Sequence, residues 1–227
     1  MPFSDLPHRL REVRERIDAA VRRGGHGQAV TIVAVTKTHG PEAVEAAWNA
    51  GLADVGENRV QEALAKMDQT SVPVRWHLIG HLQRNKVKAL TRFHLLHSLD
   101  SSRLADAVNE LATASGRTID ALVELNVSGE GTKGGFGPDD WEREADRLRS
   151  LAGIRIRGVM TMAPLEADER TLHAVFSGAR TAREVFCRAG HPAAELSMGM
   201  SNDYEIAVEE GATLTRLGTI LFGARPT

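Results

Sequence analysis

The sequence predicts an α/β fold of one domain, residues 1–227: a (β/α)8 TIM barrel with an extra helix at its N-terminus. Three observations carry this. Strand-like and helix-like stretches alternate eight times without a break in composition, which implies a parallel sheet. A chain of 227 residues has the length at which one such barrel closes around a core. The first strand–helix turn carries no G-x-G-x-x-G, which weakens the open, dinucleotide-binding alternative. No internal repeat or linker interrupts the rhythm.

The elements follow in order. Residues 3–23 place Leu6, Leu10, Val13, Ile17 and Val21 at helical spacing with Arg and Glu between them, an amphipathic helix that would cover one end or side of the barrel. "TIVAVT" is the first strand. Pro41 opens a helix over "EAVEAAWNA" and Gly51 ends it. "ADVGEN" is a strand, "VQEALAKM" a helix, "VRWHLIG" a strand, "NKVKAL" a short helix and "FHLLHSL" a strand. Asp100-Ser101-Ser102 cap a helix that ends at Gly116. "DALVELNV" is a strand, followed by a glycine-rich loop and the helix "DDWEREADRLRSLAG". "IRIRGVM" is a strand and residues 166–189 form a long helix. "AAELSMG" is a strand, "NDYEIAVEEG" a helix, "LTRLG" a strand, and "TILFG" a short apolar turn.

Composition narrows the function. The formal charge is −2, which offers no electrostatic case for nucleic acid or an anionic membrane. No apolar run approaches the roughly 18 residues of a membrane span, and the start of the chain lacks an apolar signal region. The single cysteine, Cys187, excludes a disulfide framework and reads as filler in a helix. A cytoplasmic monomer is the default expectation. The five lysines (37, 66, 86, 88 and 133) are few among 28 basic residues, so each position matters.

In a barrel of this type, chemistry sits at the C-terminal ends of the strands. The polar residues collect there: Lys37, Asn58, His81, Asn126, Thr161, Ser197 and Arg216. After the last two long strands, "SMGMSNDY" sets glycine and Ser201 before a helix, and "RLGTILFG" sets Gly218 and Thr219 before a short helical turn. Helix starts expose unpaired N–H groups that suit phosphate, and barrels often build a phosphate site from these two loops. A lysine beside a phosphate cradle suggests an aldehyde phosphate held as a Schiff base. The lysine must lose its proton to attack, and burial near Arg216 favours that loss. His77 and His81 invite a metal reading, but Gly80 and the strand pattern argue against a helical pair and no third ligand follows. "GEGTKGGFG" lacks G-K-[ST] and reads as a plain loop or lid, with Lys133 as a secondary amine near the site.

"VAVTK", "GENRVQEA", "WHLIGHLQRNK", "LNVSGEGTKGGF", "RGVMTMAP" and "LSMGMSNDYEIAVEEGATLTRLGTILFGAR" together resemble the pyridoxal-phosphate homeostasis proteins, relatives of the barrel domain of alanine racemase. The resemblance spans residues 5–225. It implies pyridoxal 5′-phosphate as cofactor, bound as a covalent internal aldimine to Lys37. It implies Ser201, Gly218 and Thr219 on the phosphate, Arg216 facing the pyridine nitrogen, Asn58 beside the ring, and Met200 and His77 lining the pocket. His81 departs from the proline that many relatives carry there.

Three functional readings remain. A guanidinium stays charged and donates hydrogen bonds, so Arg216 facing the ring nitrogen would keep it unprotonated and weaken the electron sink that carbanion chemistry needs. The resembled racemase also uses a tyrosine from a second domain; this sequence ends at Thr227, and its only tyrosine, Tyr204, is expected to point outward. The leading expectation is a non-enzymatic binding protein for intracellular homeostasis of pyridoxal phosphate, by buffering, storage or delivery, with apo-enzymes that use the cofactor as candidate recipients. The alternative is a slow amino-acid racemase; a weaker third reading is a barrel aldolase using Lys37.

Overall fold

The computed structural model describes residues 3–127 and 134–223. Its eight parallel strands close in sequence order, with β8 returning to β1. They are β1 Thr31–Val35, β2 Asp54–Glu57, β3 Arg75–Leu78, β4 Leu95–Leu99, β5 Ile119–Leu125, β6 Ile154–Thr161, β7 Glu195–Ser197 and β8 Leu214–Leu217. Closure is fixed by register: Ile32 and Ala34 sit beside Thr215 and Leu217, and Ala34 sits beside Val55 on the other side. The helices are α1 Leu6–Gly24, α2 Pro41–Asn49, α3 Val60–Gln69, α4 Ser102–Ala114, α5 Trp141–Arg149, α6 Glu169–Arg188, α7 Tyr204–Glu209 and α8 Thr219–Phe222.

Local chemistry explains the boundaries. Helix α1 has proline in its first turn and ends on Gly25, whose φ of 71° lets its N–H cap the Val21 carbonyl. It buries Leu6, Leu10, Val13, Ile17 and Ala20, the predicted stripe, against α7 and α8. Arg16 and Arg23 pair with Glu205 and Glu209 along that seam. Ser101 caps α4 by accepting the Leu104 N–H, as its position predicts. Helix α6 starts at Glu169 rather than 166, because the Asp168 carboxylate accepts the Thr171 N–H and sets the N-terminus there. The short helix expected over "NKVKAL" is a run of 3-10 turns, Arg84–Arg92. Its buried residues, Val87 and Leu90, are three apart, the spacing a three-residue turn aligns.

Two apolar layers result. The outer faces of the strands and the helices form one continuous core, while Val33, Leu95, Leu122, Met160 and Leu214 form a separate cluster that fills the barrel. The interior is tight: a Cβ on Gly56 would lie 3.0 Å from Val33 and 3.2 Å from Ile79. No helix among the described residues is long and apolar enough to cross a membrane.

Candidate functional site

A cavity of about 720 Å³ opens at the C-terminal mouth of the barrel. Its wall brings together Lys37, Asn58, Met200, Ser201, Arg216, Gly218 and Thr219, residues drawn from the ends of β1, β2, β7 and β8. One expectation needs correction. His77 does not line the cavity. Ile79, just past the end of β3, stands there, and His77, two residues earlier, points into the barrel about 6.6 Å deeper. It is buried beneath the floor.

Arg216 forms that floor. It is buried and donates to the Ser197 hydroxyl at 2.6 Å and the Thr161 carbonyl at 3.0 Å. Burial pulls its pKa down to about 10, opposed by Asp203 and Glu124, so it remains charged at neutral pH. Below it runs a column of hydrogen bonds. Ser197 Oγ lies 2.9 Å from His97 Nδ1, His97 Nε2 lies 2.8 Å from His77 Nδ1, and His77 Nε2 lies 2.9 Å from Asp54 Oδ1. Arg75, at the opposite mouth, donates twice to Asp54, at 2.7 and 2.6 Å.

The charges of the column follow from its partners. Burial alone would raise the Asp54 carboxyl, but the bonds from His77 and Arg75 outweigh it and hold the group well below the usual carboxylate range. Burial, with His77 and Arg216 nearby, drives the His97 imidazole well below its ordinary value, so His97 is neutral. Asp54 can only accept, so His77 donates from Nε2. Arg216 can only donate, so the Ser197 oxygen accepts from it.

The two turns beside Arg216 are folded onto each other. Ser201 Oγ accepts the Ile220 N–H at 3.3 Å, and the Asp203 carboxylate accepts the Met200 N–H at 2.6 Å. The first turn depends on Gly199, whose φ is +90° and where a Cβ would lie 2.7 Å from the Ala207 Cβ. That positive φ also explains why β7 stops at Ser197, short of the predicted strand end. Gly80 serves Asn58 in the same way, because a Cβ there would lie 2.4 Å from the Asn58 carbonyl oxygen.

The sequence reading missed part of the wall. Glu124 of β5 and Asp100 after β4 both face the cavity. Burial, then the Asp100 charge, pushes the Glu124 carboxyl up to about 7 against the pull of Arg216 and His81. His81 stands at the rim, 2.7 Å from Asp100. The signal for Glu124 was a carboxylate interrupting the apolar run of residues 121–125. Tyr204, expected to point outward, is absent from the cavity wall but is only 2% exposed, with Arg16 of α1 over its ring at 5.8 Å. Cys187, expected as helix filler, is exposed on α6. Lys133 and most of its glycine-rich loop lie outside the described residues. Among the described residues, no group of three or more His, Cys, Asp or Glu could hold a metal ion.

Comparison with known proteins agrees with this architecture. Residues 9–226 match the family model for the alanine racemase N-terminal domain. The chain is 40% identical to the pyridoxal phosphate homeostasis protein of Aquifex aeolicus, over 96% of this chain and 97% of that one. It is 33% identical to the protein of that name in Escherichia coli K12, over 98% of each. The structure of PipY of Synechococcus elongatus with pyridoxal phosphate bound superimposes with a TM-score of 0.85 at 36% identity, over 96% of this chain and 100% of that one. The alanine racemase of Corynebacterium glutamicum shares the fold, with a TM-score of 0.75 at 15% identity over 99% of this chain and 62% of that one.

Proposed function

The chain belongs to the pyridoxal phosphate homeostasis protein family, and from that premise we propose that it binds pyridoxal 5′-phosphate in the barrel mouth, as a Schiff base on Lys37. In this reading it buffers, stores or delivers the cofactor in the cytoplasm rather than catalysing a reaction, and apo-enzymes that use the cofactor are its recipients. The observation that carries the reading is the convergence of Lys37, Arg216, Ser201 and Thr219 on one cavity of about 720 Å³, a volume suited to a small cofactor.

The residues fit the group chemically. When bound, the group supplies an aldehyde that condenses with a primary amine and releases water. Lys37, at the end of β1, offers that amine. Ser201 and Thr219 lie on adjoining turns at the wall and offer hydroxyl donors to phosphate oxygens. Arg216 is fixed from beneath by Ser197 and Thr161. It would donate to the ring nitrogen and could not give it a proton, because a guanidinium stays charged at neutral pH. That polarity favours holding the cofactor over carbanion chemistry, and it is the reason the racemase reading ranks second. Asn58 and Met200, also in the wall, would bound the ring's sides.

The test is borohydride reduction of the protein loaded with pyridoxal phosphate, followed by peptide mapping. The adduct is expected on Lys37, and Lys37→Ala should lose the reducible near-visible absorbance without a change in melting temperature. A variant that keeps the chromophore at parent level would move the bond to another lysine and reject the assignment.

A further inference from the structure

Resting on that reading of Lys37, we propose that Glu57, Lys66 and Glu62 are positioning residues that aim Lys37 into the barrel mouth by clamping its two chain neighbours. Lys66, on α3, is only 4% exposed, which is rare for an ammonium unless it is paired. Its Nζ donates to the Thr36 carbonyl at 2.8 Å, to Glu57 Oε1 at 2.6 Å and to Glu62 Oε1 at 2.9 Å. An ammonium has three N–H donors, and these three acceptors occupy all of them. The acceptors reach further. Glu57 Oε1 takes the Thr36 hydroxyl at 2.5 Å, and Glu62 Oε1 takes the Thr38 backbone N–H at 2.7 Å. The residue before Lys37 is thus held at its carbonyl and its hydroxyl, and the residue after it at its amide.

The backbone between these grips is strained. Thr38 has φ +69°, a conformation that suits glycine and is unusual for a β-branched residue. It is the third residue of a turn closed by the His39 N–H on the Thr36 carbonyl at 3.1 Å, the turn position that normally carries glycine when φ is positive. Such strain persists only where the surroundings over-determine it, and the Glu62–Lys66–Glu57 cluster supplies that constraint. Stability is a poor explanation for the cluster. Glu57 is fully buried, and its second oxygen has no hydrogen-bond partner. Desolvating such a pair offsets most of its attraction. What it does provide is direction: with both neighbours immobile, the Cα–Cβ bond of Lys37 has one orientation, and the amine starts its reach from one place.

The experiment compares two ligands in the full chain. Pyridoxal 5′-phosphate reports adduct formation at Lys37, and pyridoxine 5′-phosphate, an alcohol that cannot form an imine, reports the cavity alone. Lys66→Met should slow appearance of the borohydride-reducible Lys37 adduct about ten- to a hundredfold, while affinity for the alcohol changes less than about twofold. Glu62→Ala, which releases the Thr38 amide and removes one of the three Lys66 acceptors, should slow it about three- to tenfold; it decides the matter if Lys66→Met does not fold. Adduct formation at the parent rate in folded variants would overturn the clamp, and so would an equal loss for both ligands, which marks general loosening. Absence of a Lys37 adduct in the parent chain is a separate failure: it removes the cofactor reading, and the clamp with it.

Discussion

Glu124→Gln tests a carboxyl in the cavity wall whose proton the fold retains near neutral pH. Burial and the Asp100 charge raise it from an ordinary 4.5 to about 7. The folded value lies above the unfolded one, so the protonated form is the one the fold favours. Below about pH 4.5 both states hold the proton and the charge costs nothing. Between 4.5 and about 7 only the folded state keeps it, so stability falls as pH rises, and above that range the full cost is present. At 1.36 kcal/mol per pH unit, the difference is about 3.4 kcal/mol for a site sealed from water. Glu124 faces an open cavity, and solvent screening brings this to about 1–2 kcal/mol. The neutral amide removes that cost. At about 2–4 °C per kcal/mol for a chain of this size, ligand-free Glu124→Gln should melt about 3–6 °C above the parent at pH 8 and within about a degree of it at pH 4.5. Scanning calorimetry of both proteins at pH 4.5, 6 and 8 measures this. A constant offset at all three values, or a lower melting point at pH 8, would refute the account of Glu124.

Other perturbations test the remaining parts of the site. Ser201→Ala combined with Thr219→Ala should weaken retention of pyridoxal phosphate about a hundredfold without moving its absorbance band, since each bond to a charged oxygen is worth roughly 1.5–3 kcal/mol; titration calorimetry reads the change, and unchanged affinity removes the phosphate assignment. His97→Leu leaves His77 Nδ1 unpaired and takes one of the two partners of the Ser197 hydroxyl inside the barrel, and should lower stability by about 2–4 kcal/mol in urea unfolding. An effect below about 0.5 kcal/mol would mean the column is not formed in solution. With cofactor bound and L-alanine in deuterated water, α-deuterium and the D-isomer should appear far more slowly than about 1 s⁻¹, an ordinary enzymatic rate. Exchange at that rate, lost in Lys37→Ala, would restore the racemase reading.

The order of strands and helices was legible because alternation, glycine and proline are local signals. So was the active end of the barrel, because Lys37, Ser201, Arg216 and Thr219 all follow or end strands on the same side. Depth was not legible. Alternation says that His77 and Ile79 share the inner face of β3, but not that the floor of the cavity passes between them. Pairing across the barrel was also hidden: His97 and Ser197 are 100 residues apart in sequence, and nothing local to either points to the other. Lys66 reads as one more charge on a helix, and only the packing of α3 over the ends of β1 and β2 buries it. A trace was present in Thr36 and Glu57, polar residues at strand positions that turn toward the helices rather than into the barrel.

The column beneath Arg216 has a consequence for the order of its hydrogens. Most buried hydroxyl networks can reverse, every O–H swinging the other way at little cost. This one is pinned by a group that only donates at its head and by one that only accepts at its foot. Those two fixed ends restrict how the hydrogens between them can be ordered. An exposed arginine on the far side of the barrel, Arg75, is thereby tied through Asp54, His77, His97 and Ser197 to the guanidinium at the mouth.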